Sequence, residues 1–263
     1  MTTLAGVALA AGLGERLRPL TDLRPKALCP VNTTPLLDLA LSRLAAQTGA
    51  GSAHLAVNAH HLAEQVVEHV GRRAHLSLER AVPLGTAGAL GLLRPWIHGR
   101  HVLVTNSDTY LPGGLADLVA GFDGERCRLL VRESPAGERA DFVRDGRALR
   151  YVGACLLPWA QVRDLLPTPS GLYEVLWRDL DQRGALDLAV TSATAIDCGT
   201  PRDYLAANLH ASGGRNVVGP GATVEGSLRR CVVWDGAHVG PHEQLADVVR
   251  AGDRQRPVTV SAR

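Results

Sequence analysis

The reading of this chain turns on residues 4–30, LAGVALAAGLGERLRPLTDLRPKALCP. Leu4 to Ala11 is an apolar run without charge or alternation, the pattern of a strand buried on both faces of a mostly parallel sheet. The run passes through Ala10 and Ala11 into Gly12-Leu13-Gly14, where residues without side chains let the backbone approach a ligand and present its N–H groups. Arg16 and Arg18 follow with guanidinium forks suited to phosphate oxygens, so the ligand suggested is a polyphosphate. Twelve residues beyond Gly14 stands Lys26, the only lysine in the chain; the other 27 basic side chains are arginine. One compact, mobile ammonium beside a phosphate loop, in a chain that otherwise uses Arg, marks Lys26 as a charge that can follow a moving phosphoryl group.

Composition narrows the partner. With 263 residues and 46% hydrophobic content, the chain has room for one sizeable α/β domain and a small appendage. A net charge of +2 and 4% aromatic residues give neither the field nor the stacking platforms that nucleic acid or a membrane surface calls for, which leaves a small molecule. Cys29, Cys127, Cys155, Cys198 and Cys231 are odd in number and lack C-x-x-C spacing. Neither a disulfide framework nor a zinc site is expected, and a reducing cytoplasm fits. The apolar start has no basic flank before it and leads straight into the glycine loop, so it is read as a strand rather than a signal segment.

Strand and helix signals alternate, as in a doubly wound sheet. Thr34-Pro35 is expected to cap a helix that buries Leu36, Leu37, Ala40, Leu41 and Leu44 and stops at Gly49. Residues 54–58 read as a strand, the stretch to Val70 as a helix, and residues 75–79 as another strand. His54, His60, His61 and His69 lie there without metal-ligand spacing and are assigned no chemistry. Small residues at Gly85, Thr86 and Gly88 then leave room for a flat ligand before a helix opening near Thr86. The β-rich run 101–108 ends on Asp108, at the carboxyl edge where open α/β sheets collect ligands.

The segment Gly12-Leu13-Gly14-Glu15-Arg16-Leu17-Arg18-Pro19-Leu20-Thr21, followed by Pro25-Lys26, resembles the signature of the sugar-1-phosphate nucleotidyltransferases. It is not the dinucleotide fingerprint, because position 17 is Leu. Residues 83–90, PLGTAGAL, look like that family's nucleobase segment in the form found in mannose-1-phosphate guanylyltransferases. The resemblance implies a Rossmann-like, doubly wound, mostly parallel sheet. It further implies a nucleotide site on Ala10, Ala11, Gly12, Gly14, Arg16, Lys26, Pro83, Gly85, Thr86 and Asp108, with Arg16, Lys26 and Asp108 catalytic. Asp108 in Val104-Thr105-Asn106-Ser107-Asp108, together with Asp197 in Ile196-Asp197-Cys198-Gly199-Thr200-Pro201, matches the family's Mg²⁺-binding pair. Two carboxylates completed by phosphate oxygens and water is a common way to hold that ion.

The likeness weakens over residues 141–183. The family's E-K-P lysine is missing, and its N-x-G asparagine is replaced in Tyr151-Val152-Gly153. This short Tyr-x-Gly form is similar to the compact members that act on muramic acid or heptose phosphates. Tyr151, Gly153 and Glu174 are the expected sugar-phosphate contacts, with Arg147 or Arg150 as a replacement charge.

Beyond residue 213 the texture changes to small-residue turns between short aliphatic stretches, as in Val217-Val218-Gly219-Pro220-Gly221 and Val232-Val233-Trp234-Asp235-Gly236. This is the mark of a left-handed β-helix tail of one or two coils. We therefore expect a nucleotidyltransferase domain over 1–213 and a tail over 214–263. So short a solenoid leaves coil edges uncovered, and at least a homodimer is expected. The reaction expected is NTP plus sugar 1-phosphate giving NDP-sugar and pyrophosphate, with GTP and a mannose-like phosphate favoured. A uridylyl- or thymidylyltransferase on another sugar or cyclitol phosphate is the alternative. A non-catalytic regulatory subunit would be expected to lack Lys26 or one of the two Asp residues, and all three are present.

Overall fold

A computed structural model describes residues 4–135, 137 and 139–263. The chain divides into two compact units. The first comprises the residues up to Gly12, Ala40–Ser107 and Leu111–Ala195; the second comprises Leu13–Leu39, Asp108–Tyr110 and Ile196–Arg263. The 213/214 boundary drawn from composition thus falls inside the second unit.

The first unit is built on a sheet of strands β1 (Leu4–Leu9), β2 (Leu55–Ala59), β3 (His75–Leu78), β4 (His101–Asn106), β5 (Arg128–Glu133), β6 (Phe142–Arg144), β7 (Arg147–Leu157) and β8 (Asp187–Val190). Among the described residues its order is β8-β5-β7-β4-β1-β2-β3, with β6 paired to β7. β1 lies parallel between β2 and β4, in register Leu9 to Asn58 and Leu9 to Asn106. β7 alone runs against its neighbours β4, β5 and β6. The sheet is therefore mixed α/β and mostly parallel. The middles of β1 and β4 are sealed on both faces, which is why β1 reads as a continuous apolar run and β4 carries Val102-Leu103-Val104.

Helix α1 (Leu36–Thr48) begins later than a Thr34 cap would place it. Asn32 and Thr33 both take positive φ (47° and 72°) and form the tight turn of a hairpin pairing Pro30–Val31 with Thr34–Pro35. Pro35 therefore ends a strand rather than opening a helix, and the Leu36 N–H is satisfied by the Cys29 carbonyl. Helices α2 (Ala63–Val70) and α3 (Gly85–Ile97) complete the crossovers between β2 and β4. Buried Leu90, Leu93 and Ile97 of α3 join Val7, Val102 and Val104 in the core.

The second unit gathers helix α4 (Pro201–Ala211) and the short strands that follow it. Pro201 opens α4, and the Thr200 hydroxyl caps it by accepting from the Asp203 N–H at 3.2 Å. After Ser212 the strands stack in parallel on successive faces. Val217 pairs with Val232 and Val232 with Val249; Thr223 pairs with His238, and Leu228 with Leu245. Strand Val258–Ser261 folds back antiparallel on Val248–Ala251 and covers that strand's edge, where sequence reasoning expected edges left open. Val217, Val232, Trp234, Val249 and Val260 share one core with Leu17, Leu20, Cys29, Val31, Leu36 and Tyr204, so the coil strands stabilise the segment that carries Lys26.

Candidate active site

In the second unit the isolated lysine and the two expected metal carboxylates converge. Lys26 opens a helical turn, Lys26–Leu28, directly after Pro25. Asp108 and Asp197 are brought side by side by a short antiparallel ladder in which Asp197 faces Thr109, and the Cys198 N–H donates to the Asp108 carbonyl at 2.9 Å. Lys26 Nζ lies 2.5 Å from Asp108 Oδ2 and 3.4 Å from Asp197 Oδ1. Only 8% of Lys26 is exposed. Burial alone would lower its pKa, but the charges of Asp108 and Asp197, with their hydrogen bonds, reverse this and hold it above the ordinary value. It is a buried ammonium whose charged form the two carboxylates favour.

Arg16 reaches the same group. Its Nη2 lies 3.6 Å from Asp197 Oδ2, with both side chains more than half exposed, so solvent screens the pair and leaves the guanidinium available to an anion. Sequence reasoning missed a partner in this geometry. A Cβ on Gly199 would fall 2.5 Å from Arg16 Nη2 and 3.1 Å from each Asp197 carboxylate oxygen, so the bare backbone of Gly199 lies directly against both side-chain ends. Gly14 is fixed in the same way: φ is +66°, and a Cβ would meet Thr21 Cγ2 at 2.7 Å. The Thr21 hydroxyl in turn donates to the Gly14 carbonyl at 2.9 Å.

The residues flanking Lys26 are anchored from the far end of the chain. The Pro30 carbonyl accepts from the Tyr204 hydroxyl and, at 3.4 Å, from Asn208 Nδ2, while Asn208 Oδ1 accepts from the Asn32 N–H at 3.0 Å. The Trp234 indole N–H donates to the Tyr204 hydroxyl at 3.0 Å. On the other side of Lys26, Arg24 lies over the Trp234 ring at 4.5 Å and forks onto Asp235 at 3.0 and 3.1 Å. The anchors on Pro30 and Asp235 were not legible in the sequence, because each joins residues some 170 or more positions apart. Burial pushes the Cys29 and Cys198 thiols up to about 12, so both stay neutral beside the ammonium.

In the first unit, Ala10 and Ala11 are buried just beyond β1, and Gly12 is exposed with open space where a Cβ would stand. The Ser107 hydroxyl and N–H both donate to the Leu9 carbonyl, at 2.7 and 3.0 Å, and tie the ends of β1 and β4 together. Pro83 and Gly85 are exposed. The glycine pattern of α3 has another cause besides room for a ligand. A Cβ on Gly85, Gly88 or Gly91 would fall within 2.5 Å of backbone atoms of Ser170, Thr168 or Leu166, so that stretch lies directly on the helix. The Thr86 hydroxyl accepts from the Leu172 N–H at 2.8 Å.

Tyr151 and Gly153 sit on β7, where the register against β5 shifts and Gly153 takes φ +81°. The Tyr151 ring meets Trp177 edge-on at 5.0 Å, and Trp177 closes the helical segment Tyr173–Trp177 that carries Glu174. Arg147 is already paired: its Nε and Nη2 lie 2.9 and 2.5 Å from Glu133 Oε1. Both residues line a polar cavity of about 680 Å³ together with Arg132, Val190 and Thr191–Ala195. Among the described residues no group of three or more His, Cys, Asp or Glu side chains is placed to hold a metal.

Residues 5–133 match the family model described as nucleotidyl transferase. N-acetylmuramate alpha-1-phosphate uridylyltransferase of Caulobacter vibrioides is 36% identical over 148 residues, covering 52% of this chain and 60% of the relative. The protein of the same name from Neisseria meningitidis is 35% identical over 111 residues, covering 40% and 47%. The matches thus span about half the length of these curated relatives. A solved structure titled mannose-1-phosphate geranyltransferase, from Thermus thermophilus, superposes with a TM-score of 0.74 at 19% identity, over 99% of this chain and 95% of that one, and shows the fold.

Proposed function

The chain belongs to the nucleotidyl transferase family, and we propose that it transfers a nucleotidyl group from an NTP to a sugar 1-phosphate, releasing pyrophosphate. The observation that carries this reading is the buried Lys26 ammonium between Asp108 and Asp197, 2.5 and 3.4 Å away. In the reaction a phosphate oxygen of the acceptor attacks the α-phosphorus in line and pyrophosphate leaves on the opposite side. No side-chain nucleophile is needed, so the protein contributes position and charge. Gly12, Gly14 and Arg16 would hold the triphosphate through backbone N–H groups and a guanidinium. Lys26, kept protonated by its two acids, would move onto the α-phosphate as charge develops there.

Asp108 and Asp197 suit Mg²⁺. They are hard oxygen donors set side by side, partly open to solvent, with only two protein ligands for an ion that keeps water and takes up substrate phosphate oxygens. When bound, the ion would neutralise phosphate charge. On the acceptor side, Tyr151, Gly153 and Glu174 are the proposed sugar contacts. Arg147 is held by Glu133 and is a poor replacement for the missing second lysine. The coil strands are taken to be a short left-handed β-helix, the active form to be a homo-oligomer, and the setting to be cytoplasmic.

For the donor we favour GTP with a mannose-like 1-phosphate, on the form of residues 83–90. UTP with a muramate-like phosphate is the second reading. It is favoured by the names of the two relatives at 35–36% identity and by Tyr151-x-Gly153. Pyrophosphate release with GTP, UTP, dTTP, CTP and ATP, each against mannose, glucose and N-acetylmuramate 1-phosphates, decides between them. No release with any pair would refute the reaction class, and a tenfold preference for UTP over GTP would replace the first reading by the second.

A further inference from the structure

At the carboxyl ends of β1, β2 and β3 a buried line of hydrogen bonds joins two loops. The Ala10 N–H donates to Asn58 Oδ1 at 2.7 Å, Asn58 Nδ2 donates to Glu79 Oε1 at 2.7 Å, and the Leu84 N–H donates to Glu79 Oε2 at 2.6 Å. Asn58 and Glu79 are each 3% exposed. The Glu79 backbone is pinned as well, its N–H donating to the Ala59 carbonyl at 2.9 Å and its carbonyl lying 2.6 Å from His60 Nδ1.

The polarity of this line admits one arrangement. Both ends are backbone donors, and Asn58 accepts with its oxygen and donates with its nitrogen, so Glu79 must accept at both oxygens. An ionised carboxylate does this; an amide cannot. Turning the Asn58 amide over would set its Nδ2–H₂ against the Ala10 N–H, donor facing donor. Strand pairing holds β1 to β2 at Leu9–Asn58 and β2 to β3 at Ala59–Leu78, but Ala10 and Leu84 lie beyond these ladders. The Asn58–Glu79 pair is what spans from one to the other.

We propose that Asn58 and Glu79 are positioning residues that set the spacing between the phosphate-side backbone, Ala10-Ala11-Gly12, and the base-side loop, Pro83-Leu84-Gly85, and so act on NTP binding rather than on the chemical step. The proposal rests on the nucleotide site assigned above. It explains why a carboxylate is buried with its two oxygens given to Asn58 and to the Leu84 N–H at the start of the loop before α3.

A swap of the two side chains tests it. E79Q sets an amide N–H₂ against a donor, and N58D sets two buried carboxylates face to face. In N58D/E79Q every group is matched again: the introduced aspartate accepts from Ala10 and from the introduced glutamine, whose oxygen accepts from Leu84. On the full-length protein, each single substitution should raise the KM for the NTP about tenfold or more while kcat stays within about threefold, and the double variant should return to within about threefold of wild type. A double variant no better than the worse single, or single variants with unchanged KM, would overturn the proposal. Amide hydrogen exchange at Ala10 and Leu84 without nucleotide reads the line independently of turnover. Protection is expected in the wild type and the double variant and its loss in the singles, and equal exchange in all four proteins overturns the line itself. If E79Q or N58D does not fold, the double variant must still fold with near wild-type KM. A wild type that binds no NTP refutes the assigned nucleotide site, and the role of the pair with it, whatever the exchange pattern.

Discussion

Lys26 and Asp108 meet at 2.5 Å, from a helical turn near the start of the chain and from the turn that follows β4, and Asp197 completes the contact from 3.4 Å. Burial alone would weaken the hold of this ammonium on its proton; the two carboxylates facing it reverse that. The arrangement keeps a positive charge in a mostly dry position and the two acids close together despite their like charge. Each side of this balance can be removed separately.

Lys26→Arg keeps the charge but replaces a point donor with a planar fork in a position only 8% exposed. We expect kcat to fall by about a hundredfold or more, in line with losing one preorganised electrostatic contact, with the far-UV circular dichroism spectrum unchanged. A steady-state assay within twofold of wild type would remove Lys26 from the mechanism.

Asp108→Asn and Asp197→Asn each leave Lys26 one carboxylate short and halve the acidic donor set. Both variants should need higher Mg²⁺ for half-maximal activity and turn over more slowly, and neither should lose the fold, since both acids are partly exposed. Activity titrated with Mg²⁺ checks this, and curves superimposable on wild type in both variants would place the metal elsewhere.

Tyr204→Phe removes one hydroxyl that accepts from Trp234 and donates to Pro30. Two buried groups lose that partner, so stability should drop by about 1–3 kcal/mol in urea unfolding. Deleting residues 214–263 removes Val217, Val232, Trp234, Val249 and Val260 from the core they share with Leu17, Cys29 and Leu36. The truncated protein is expected to be insoluble or inactive, and a soluble, fully active 1–213 fragment would contradict the shared core.

Gly88→Ala should destabilise by about 1–3 kcal/mol through overpacking, because its Cβ would lie 2.3 Å from the Thr168 carbonyl oxygen and that backbone must move. If the glycine served only to admit a nucleobase, the melting temperature would hold and NTP affinity alone would fall.

The Arg24 hydrogen bond and charge hold the Asp235 carboxyl below its ordinary value of 3.8. A depressed carboxyl contributes stability above its unfolded pKa, and the contribution is lost as pH falls through the folded value. Because Asp235 is half exposed, the effect is small, about 0–1 kcal/mol. Asp235→Asn should therefore lower the melting temperature near pH 7 and converge with wild type as the pH falls through and below the depressed Asp235 value, with the two curves compared by scanning calorimetry.

Local chemistry determined much of this protein before folding. The apolar run 4–11, the glycine loop and Lys26 were legible because each is a local pattern whose residue types are restricted by backbone sterics or charge, and the motifs around Asp108 and Asp197 stood out through their resemblance to the family's acidic pair. The alternation of strand and helix, and with it the mostly parallel sheet, followed from hydrophobic periodicity. What tertiary structure decided is what joins distant segments. Asp108 and Asp197 could be named but not placed on one ammonium. Glu79 read as the last residue of a strand, and nothing in the linear pattern showed that Asn58 and Leu84 share its carboxylate. The glycines at 85 and 88 read as space for a ligand, and the structure gives them, together with Gly91, a duty as space for the backbone of residues 166–170. Thr34-Pro35 read as a helix cap, whereas positive φ at Asn32 and Thr33 makes it the second arm of a hairpin. Burial and hydrogen-bond partners depend on which surfaces meet, and a linear pattern records only what each segment offers to such a meeting.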